Sequence, residues 1–391
     1  MGQRAKARSR KMANKEMNSS TVCSAQEQVW SQLNQISLSK KLGSAYLFSG
    51  PPGCGKEGIA IQFAKLLNCE LGGKDICGSC PSCIRIAKLQ HEKLKLLFPL
   101  PALKKNQNTE AGALDIKDID MVNEAIKQKA QDPFFKIKIP RATRIPIQSI
   151  RDLRKSLYLK SNNTGRKVVL VFDAHLLCVG QGEAANAFLK LLEEPPDNTT
   201  IILITDHVEL LLPTIISRCQ RIGFPKLDDV FIEDWFKSKM VRPEDIPLLI
   251  GLSRGNFYSA QFFIRQSLEQ LITLIEDLIK SMNQDDPQKW RKFIQDYSKM
   301  AKQDTEKFSL HFMLLKIWYQ NANRFQKNMK YPFYNTPLKK GIERCVKTHS
   351  SADFLAIVFE LEDTVGAIAK NLYMPLVLVN LLLSTKKHLS S

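Results

Sequence analysis

Chemistry in this chain is most legible where glycine and lysine crowd together. Gly50, Gly53, Gly55 and Lys56 fall within Phe48-Ser-Gly-Pro-Pro-Gly-Cys-Gly-Lys-Glu57. The apolar run Tyr46 to Phe48 reads as a strand and a helix begins near Lys56, the setting in which a glycine-rich turn cradles phosphate. Glycines let successive N–H groups line an anion nest at a helix N-terminus, and Lys56 supplies charge for the outer phosphates. The spacing G-x-x-x-x-G-K is met, but the next position is Glu57, where a Ser or Thr hydroxyl ordinarily holds magnesium. The stretch is therefore a phosphate loop with a defect at the metal, or a glycine- and proline-rich turn without a ligand.

Cys69, Cys77, Cys80 and Cys83 follow in the pattern C-x7-C-x2-C-x2-C. Four thiolates at such spacing close a tetrahedral structural zinc site with no open position for catalysis. An iron–sulfur cluster also uses four thiolates, whereas a redox pair needs only two. Further on, the strand Lys167 to Asp173 ends in a carboxylate at the edge where a parallel sheet presents its ligands. Nucleotide hydrolases use two adjacent acids there, one for magnesium and one for water. Here Asp173 stands between Phe172 and Ala174, so one is missing.

The elements that must hold these residues alternate. Apolar periodicity predicts helices over 25–40, from Lys56 through Leu67, from Ile147 through Leu157 and over 183–194, the last burying Ala184, Ala187, Phe188 and Leu191. Strands are predicted at 45–48, 94–101, 167–173 and 200–206, a loop at 102–114, and a short helix over 211–217. That alternation from 45 to 224 argues an open, mostly parallel α/β sheet. Residues 226–265 read as a compact helical unit and 270–391 as all helical, with apolar stripes at Phe308, Phe312, Leu315, Tyr319 and at Phe354, Val358, Leu361, Val365, Ile368.

At 391 residues and 44% hydrophobic content the chain can build two or three cores. Its formal charge of +18 favours a polyanionic neighbour, nucleic acid above all. Residues 1–22 form a basic leader expected to be disordered, without the apolar core of a signal peptide. The longest apolar run, Pro375 to Leu383, is broken by Asn380 and too short to span a bilayer. Nine clustered cysteines point to a reducing, cytoplasmic setting.

Ala45 to Lys56, the four-cysteine knuckle, Asn186-Ala-Phe-Leu-Lys-Leu-Leu-Glu-Glu-Pro-Pro196 and Ser217-Arg-Cys219, taken in that order, resemble bacterial DNA polymerase III clamp-loader subunits, which are AAA+ proteins. The resemblance implies a P-loop parallel-sheet domain over 23–225 with an inserted zinc module at 69–83. A small helical lid over 226–268 and an all-helical collar, 269–391, for oligomerisation would follow. It implies a hetero-oligomer with gamma/tau and delta subunits that loads the beta sliding clamp on primed DNA, away from any membrane. Within the family the chain departs from the ATP-hydrolysing gamma/tau type at Glu57 and at the acids around Asp173. Tyr258, in Gly255-Asn-Phe-Tyr-Ser-Ala260, stands where an active member places a phosphate-sensing arginine. The delta-prime type is therefore implied, with little or no ATP hydrolysis of its own and ATP or ADP weakly held or absent at Gly50, Gly53, Gly55, Lys56 and Asp173. Arg218 would be an arginine finger reaching a neighbour's ATP; its plain alternative is a helix-terminal arginine bonding its own carbonyls. The gamma/tau motor remains the alternative, and a zinc-bearing DNA-binding protein with a vestigial loop a further one. The complex carries DNA-directed DNA polymerase activity (EC 2.7.7.7, a nucleotidyltransferase), but no triad of metal-binding carboxylates for that chemistry is visible in this chain.

Overall fold

The structure, a computed structural model, describes residues 19–39, 42–72, 75–101, 115–158, 165–180, 182–283, 286–329, 333, 336–370 and 372–390. The basic leader, but for its last residues, and the 102–114 loop lie outside the described residues. The chain divides into two compact units, residues 1–232 with 255–258, and residues 233–254 with 259–391.

In the first unit five strands, β1 (Ala45–Ser49), β2 (Leu94–Leu97), β3 (Lys167–Val171), β4 (Thr199–Thr205) and β5 (Gln220–Gly223), form one parallel sheet in the order β2-β3-β4-β1-β5. Every residue of β4 and the last four of β3 are buried, which is why these strands are continuous β-branched and leucine runs without alternation. Register sets up the site. Ser49 pairs with Thr205 and Val171 with Leu203, so Gly50, Asp173 and Asp206 all emerge at the same C-terminal edge of the sheet.

Helices α1 (Ser19–Ala25), α2 (Glu27–Leu38), α3 (Lys56–Leu67), α4 (Pro81–Ala87), α5 (Ile116–Gln131), α6 (Ile147–Tyr158), α7 (Glu183–Glu193) and α8 (Pro213–Ile216) complete the unit. All positions of α3 from Lys56 to Leu66 are buried, so it lacks a polar face. α6 buries Ile150, Leu153 and Leu157 as the 3.6-residue spacing requires. In α7 the buried face is Ala185, Phe188, Leu191 and Leu192, with Ala184 and Ala187 only half-buried, a rotation from the expected stripe. The whole of α5 was not expected. Its charged residues are many, and the face it buries holds Asp118 and Lys129 beside Ala125, against the apolar periodicity.

The chain continues through α9 (Asp229–Ser238), α10 (Ile246–Ser253) and α11 (Phe257–Ile264), and then α12 (Leu268–Asn283), α13 (Pro287–Gln303), α14 (Thr305–Gln326), α15 (Lys339–Thr348), α16 (Phe354–Ala369) and α17 (Met374–Leu389). Phe308, Phe312, Leu315 and Tyr319 of α14 are fully buried, while on α16 Phe354, Val358 and Leu361 are buried and Val365 and Ile368 half-buried. Among the described residues no helix is long and apolar enough to cross a membrane.

Candidate phosphate-loop site and cysteine centre

The loop between β1 and α3 has the backbone its sequence demands. Gly50 follows β1 and abuts Phe224. Gly53 and Gly55 take φ of +69° and +91°, a region that favours glycine. A side chain at Gly53 would collide with Asn256 and the backbone of Phe257, whose N–H donates to the Gly53 carbonyl at 3.1 Å. At Gly55 it would press on the Phe134 ring. The turn is thus built as a phosphate nest and closely covered by two segments of the same unit.

Its charges are paired internally. The Lys56 side chain is 4% exposed, and its Nζ forms an ion pair with Asp206 and donates to the Pro51 carbonyl at 2.9 Å. Lys136 Nζ lies 2.8 Å from Asp173 and 2.9 Å from Asp206, bridging the ends of β3 and β4. Burial opposes the Lys136 ammonium, but Asp173 and Asp206 more than offset it and push its pKa above the ordinary lysine value. Burial likewise opposes the Asp206 carboxylate, yet Lys136 and Lys56 hold it down to about 2. Glu57, at the position where a hydroxyl would hold magnesium, pairs instead with fully buried Lys129 of α5. That ammonium also donates to the carbonyls of Pro133 and Phe135, so all three of its donors are used.

These six groups, three ammoniums and three carboxylates, sum to zero charge. An ammonium is paired with Asp173, the acid that would otherwise face a divalent ion, and Lys56 is committed to Asp206. In this arrangement the residues do not fit a magnesium–nucleotide pair, although the turn itself has the shape of a phosphate cradle. Tyr258 lies close to the same cluster. Burial first, then Glu57, Asp206 and Asp173, push its hydroxyl well above the usual tyrosine pKa, so it stays neutral and supplies no positive charge. Lys56, Glu57, Asp173 and Tyr258 are legible in the sequence; Lys129, Lys136 and the pairing role of Asp206 are not. Asp206 carried a signal, a carboxylate closing a buried strand. The two lysines carried none, because their partners lie on elements distant in sequence.

The four cysteines meet as expected. The Sγ atoms of Cys69, Cys77, Cys80 and Cys83 lie within 4.8 Å of one another. Tetrahedral zinc at about 2.3 Å from each sulfur requires S···S separations of roughly 3.8 Å, so small shifts close the site. Proline at the start of α4 fixes the second knuckle, where Cys80 Sγ accepts from the Cys83 N–H at 3.4 Å, and Cys77 Sγ accepts from the Cys80 N–H at 3.3 Å. N–H donors of Cys80 and Ser79 lower the Cys77 thiol to about 6, while burial raises that of Cys83. The donor set and its geometry fit a structural zinc ion.

Arg218, just beyond α8, is about one-third exposed. Its guanidinium bonds Glu193 at 2.6 Å and the Thr214 carbonyl, one helical turn back, at 2.9 Å. Within the isolated chain it is therefore tethered, in the manner of a helix-terminal arginine.

A family model described as DNA polymerase III, delta subunit, matches residues 25–228, a span that holds the loop, the cysteines, Asp173, Asp206 and Arg218. The chain belongs to the DNA polymerase III clamp-loader family. Relatives of both kinds are similar to it. DNA polymerase III subunit tau of Bacillus subtilis (strain 168) is 32% identical over 65% of this chain and 38% of that protein. The subunit delta' of the same organism is 31% identical over 58% of this chain and 59% of that protein. The subunit delta' of Pseudomonas aeruginosa is 28% identical over 65% of this chain and 66% of that protein. The chain spans less than two thirds of the length of each of these relatives. Clamp-loader membership is common to both subunit types, which these identities do not separate.

Proposed function

We propose that this chain is a delta-prime-type subunit of the DNA polymerase III clamp loader, one that helps load the beta sliding clamp on primed DNA and hydrolyses little or no ATP itself. The observation that carries the reading is Lys136 between Asp173 and Asp206. A gamma/tau motor needs Asp173 free for magnesium or the attacking water and Lys56 free for the phosphates. Here, freeing Asp173 and Lys56 would strip part-buried Lys136 and buried Lys56 of their partners, a change that costs up to about 3–5 kcal/mol. Glu57, locked by Lys129, closes the second place where the metal would bind. The gamma/tau reading is kept open by one observation, the 32% identity to a tau subunit.

In this role the chain acts on its neighbours. Arg218 is the group offered to the ATP of an adjacent subunit, exchanging Glu193 and the Thr214 carbonyl for phosphate oxygens. A planar, permanently charged guanidinium suits developing phosphoryl charge, and a finger donated in trans ties hydrolysis to assembly. The cysteine centre, with structural zinc, fixes the α3–α4 connection and takes no part in the chemistry. The test is a loader reconstituted with gamma/tau and delta subunits. Arg218→Ala should leave assembly intact and lower DNA-stimulated hydrolysis about 10^3-fold at the site it serves. Unchanged hydrolysis in an intact complex would remove Arg218 from the chemistry, and loss of assembly would make it structural.

A further inference from the structure

In the second unit, α15 carries a cationic stripe that the phosphate-loop chemistry does not use. Lys340, Arg344 and Lys347 are exposed at positions i, i+4 and i+7, while Ile342, Cys345 and Val346 of the same helix are buried. Among the described residues no ion pair engages these three side chains. The one acid of the helix, Glu343, is 3.8 Å from Lys339. Together with Glu343 and Thr348 they line a shallow groove of about 440 Å³.

We propose that the α15 face is a docking surface for the phosphate backbone of nucleic acid, read without regard to sequence. Spacing supports the assignment. Seven residues of helix at about 1.5 Å each advance roughly 10 Å, and one strand of duplex presents a phosphate about every 3.4 Å of axis, so three cations face about three phosphates. An acidic protein is the weaker match. A protein interface is centred on desolvated apolar or aromatic anchors. No large apolar side chain is exposed between residues 339 and 348, whereas this unit exposes Phe359, Tyr373 and Leu376 elsewhere.

The inference is independent of ATP hydrolysis, and its test reads binding alone. The full chain is titrated against a labelled mixed-sequence oligonucleotide, as single strand and as duplex, by fluorescence anisotropy across a salt series. Lys340→Ala/Arg344→Ala/Lys347→Ala should weaken binding at about 0.1 M salt by tenfold or more and flatten the log K against log salt slope by about 2 to 3. Lys292→Ala/Lys299→Ala/Lys302→Ala, which removes three exposed cations from α13, should cost less than about threefold. Arg344→Glu provides a single-site check with the same direction. Equal losses in the two triple variants, or unchanged binding in the α15 variant, would overturn the proposal. So would α15-dependent binding of polyglutamate without binding of the oligonucleotide, which would assign the face to an acidic protein.

Discussion

Lys136 and Asp206, seventy residues apart, lie 2.9 Å from each other, and the same ammonium reaches Asp173 at 2.8 Å. A tethered cation thus occupies the space between the carboxylates at the ends of β3 and β4. Lys136→Met would leave the two acids facing each other across a poorly solvated site. The expected loss is about 3–5 kcal/mol of stability at neutral pH, read from the urea midpoint at constant m-value. Because protonating one acid relieves the repulsion, the penalty should shrink toward pH 4. A penalty independent of pH would show that packing, not charge, is what the lysine provides.

Glu57 and Lys129 make a second, separable pair. Glu57→Ala strands a buried ammonium and Lys129→Met a carboxylate, so each alone should cost about 3 kcal/mol or more, whereas the double variant should recover much of that loss. A double-mutant cycle by chemical denaturation measures the coupling. Strict additivity would contradict the pairing.

Asp206 gives the fold a definite acid sensitivity. Its carboxyl is held down to about 2 from an ordinary value of 3.8. A depressed carboxylate stabilises above its unfolded pKa and loses that contribution as pH falls through the folded one. The difference corresponds to about 2 kcal/mol, present at pH 5 and above and lost between about pH 4 and pH 2. Comparing wild type with Asp206→Asn across this range cancels acid effects at the cysteines. The gap between them should be largest at pH 6 and narrow below pH 4; a constant gap would contradict the assignment.

At the cysteine centre, Cys80→Ser removes one sulfur while its hydroxyl can still accept the Cys83 N–H as the helix cap. Zinc content measured by atomic absorption should fall from one per chain toward zero, with local loosening of 69–87 seen as faster amide exchange. Unchanged metal content would remove Cys80 from the ligand set.

Much of this architecture is visible in the residues, and what is not has a physical reason. The buried strands, the loop at Gly50 to Lys56 and the cysteine knuckle are local, each defined by composition over a dozen residues, and they form as read. The four sulfurs could be brought together in sequence because their spacing is itself the constraint. Lys129 and Lys136 could not. They act through partners fixed only by tertiary contact, Lys129 buried on a helix whose Ile116 and Ile119 are exposed and Lys136 in a loop without a motif. The departures at Glu57 and Asp173 were readable as losses; that lysines fill the space became visible only with the strand ends aligned. Arg218 was readable as a motif, but its hold on Glu193 was not.

Steady-state ATP hydrolysis shows whether the phosphate-loop site, with its lysines paired internally, turns over nucleotide. The purified, zinc-replete chain is assayed alone with magnesium, with and without primed DNA. Ordinary enzymes turn over at about 10 per second, so a working motor should come within a few decades of that. No detectable turnover is expected in either condition. Clear hydrolysis, stimulated by primed DNA and abolished by Lys56→Ala, would contradict this expectation and make the chain a motor of the gamma/tau kind.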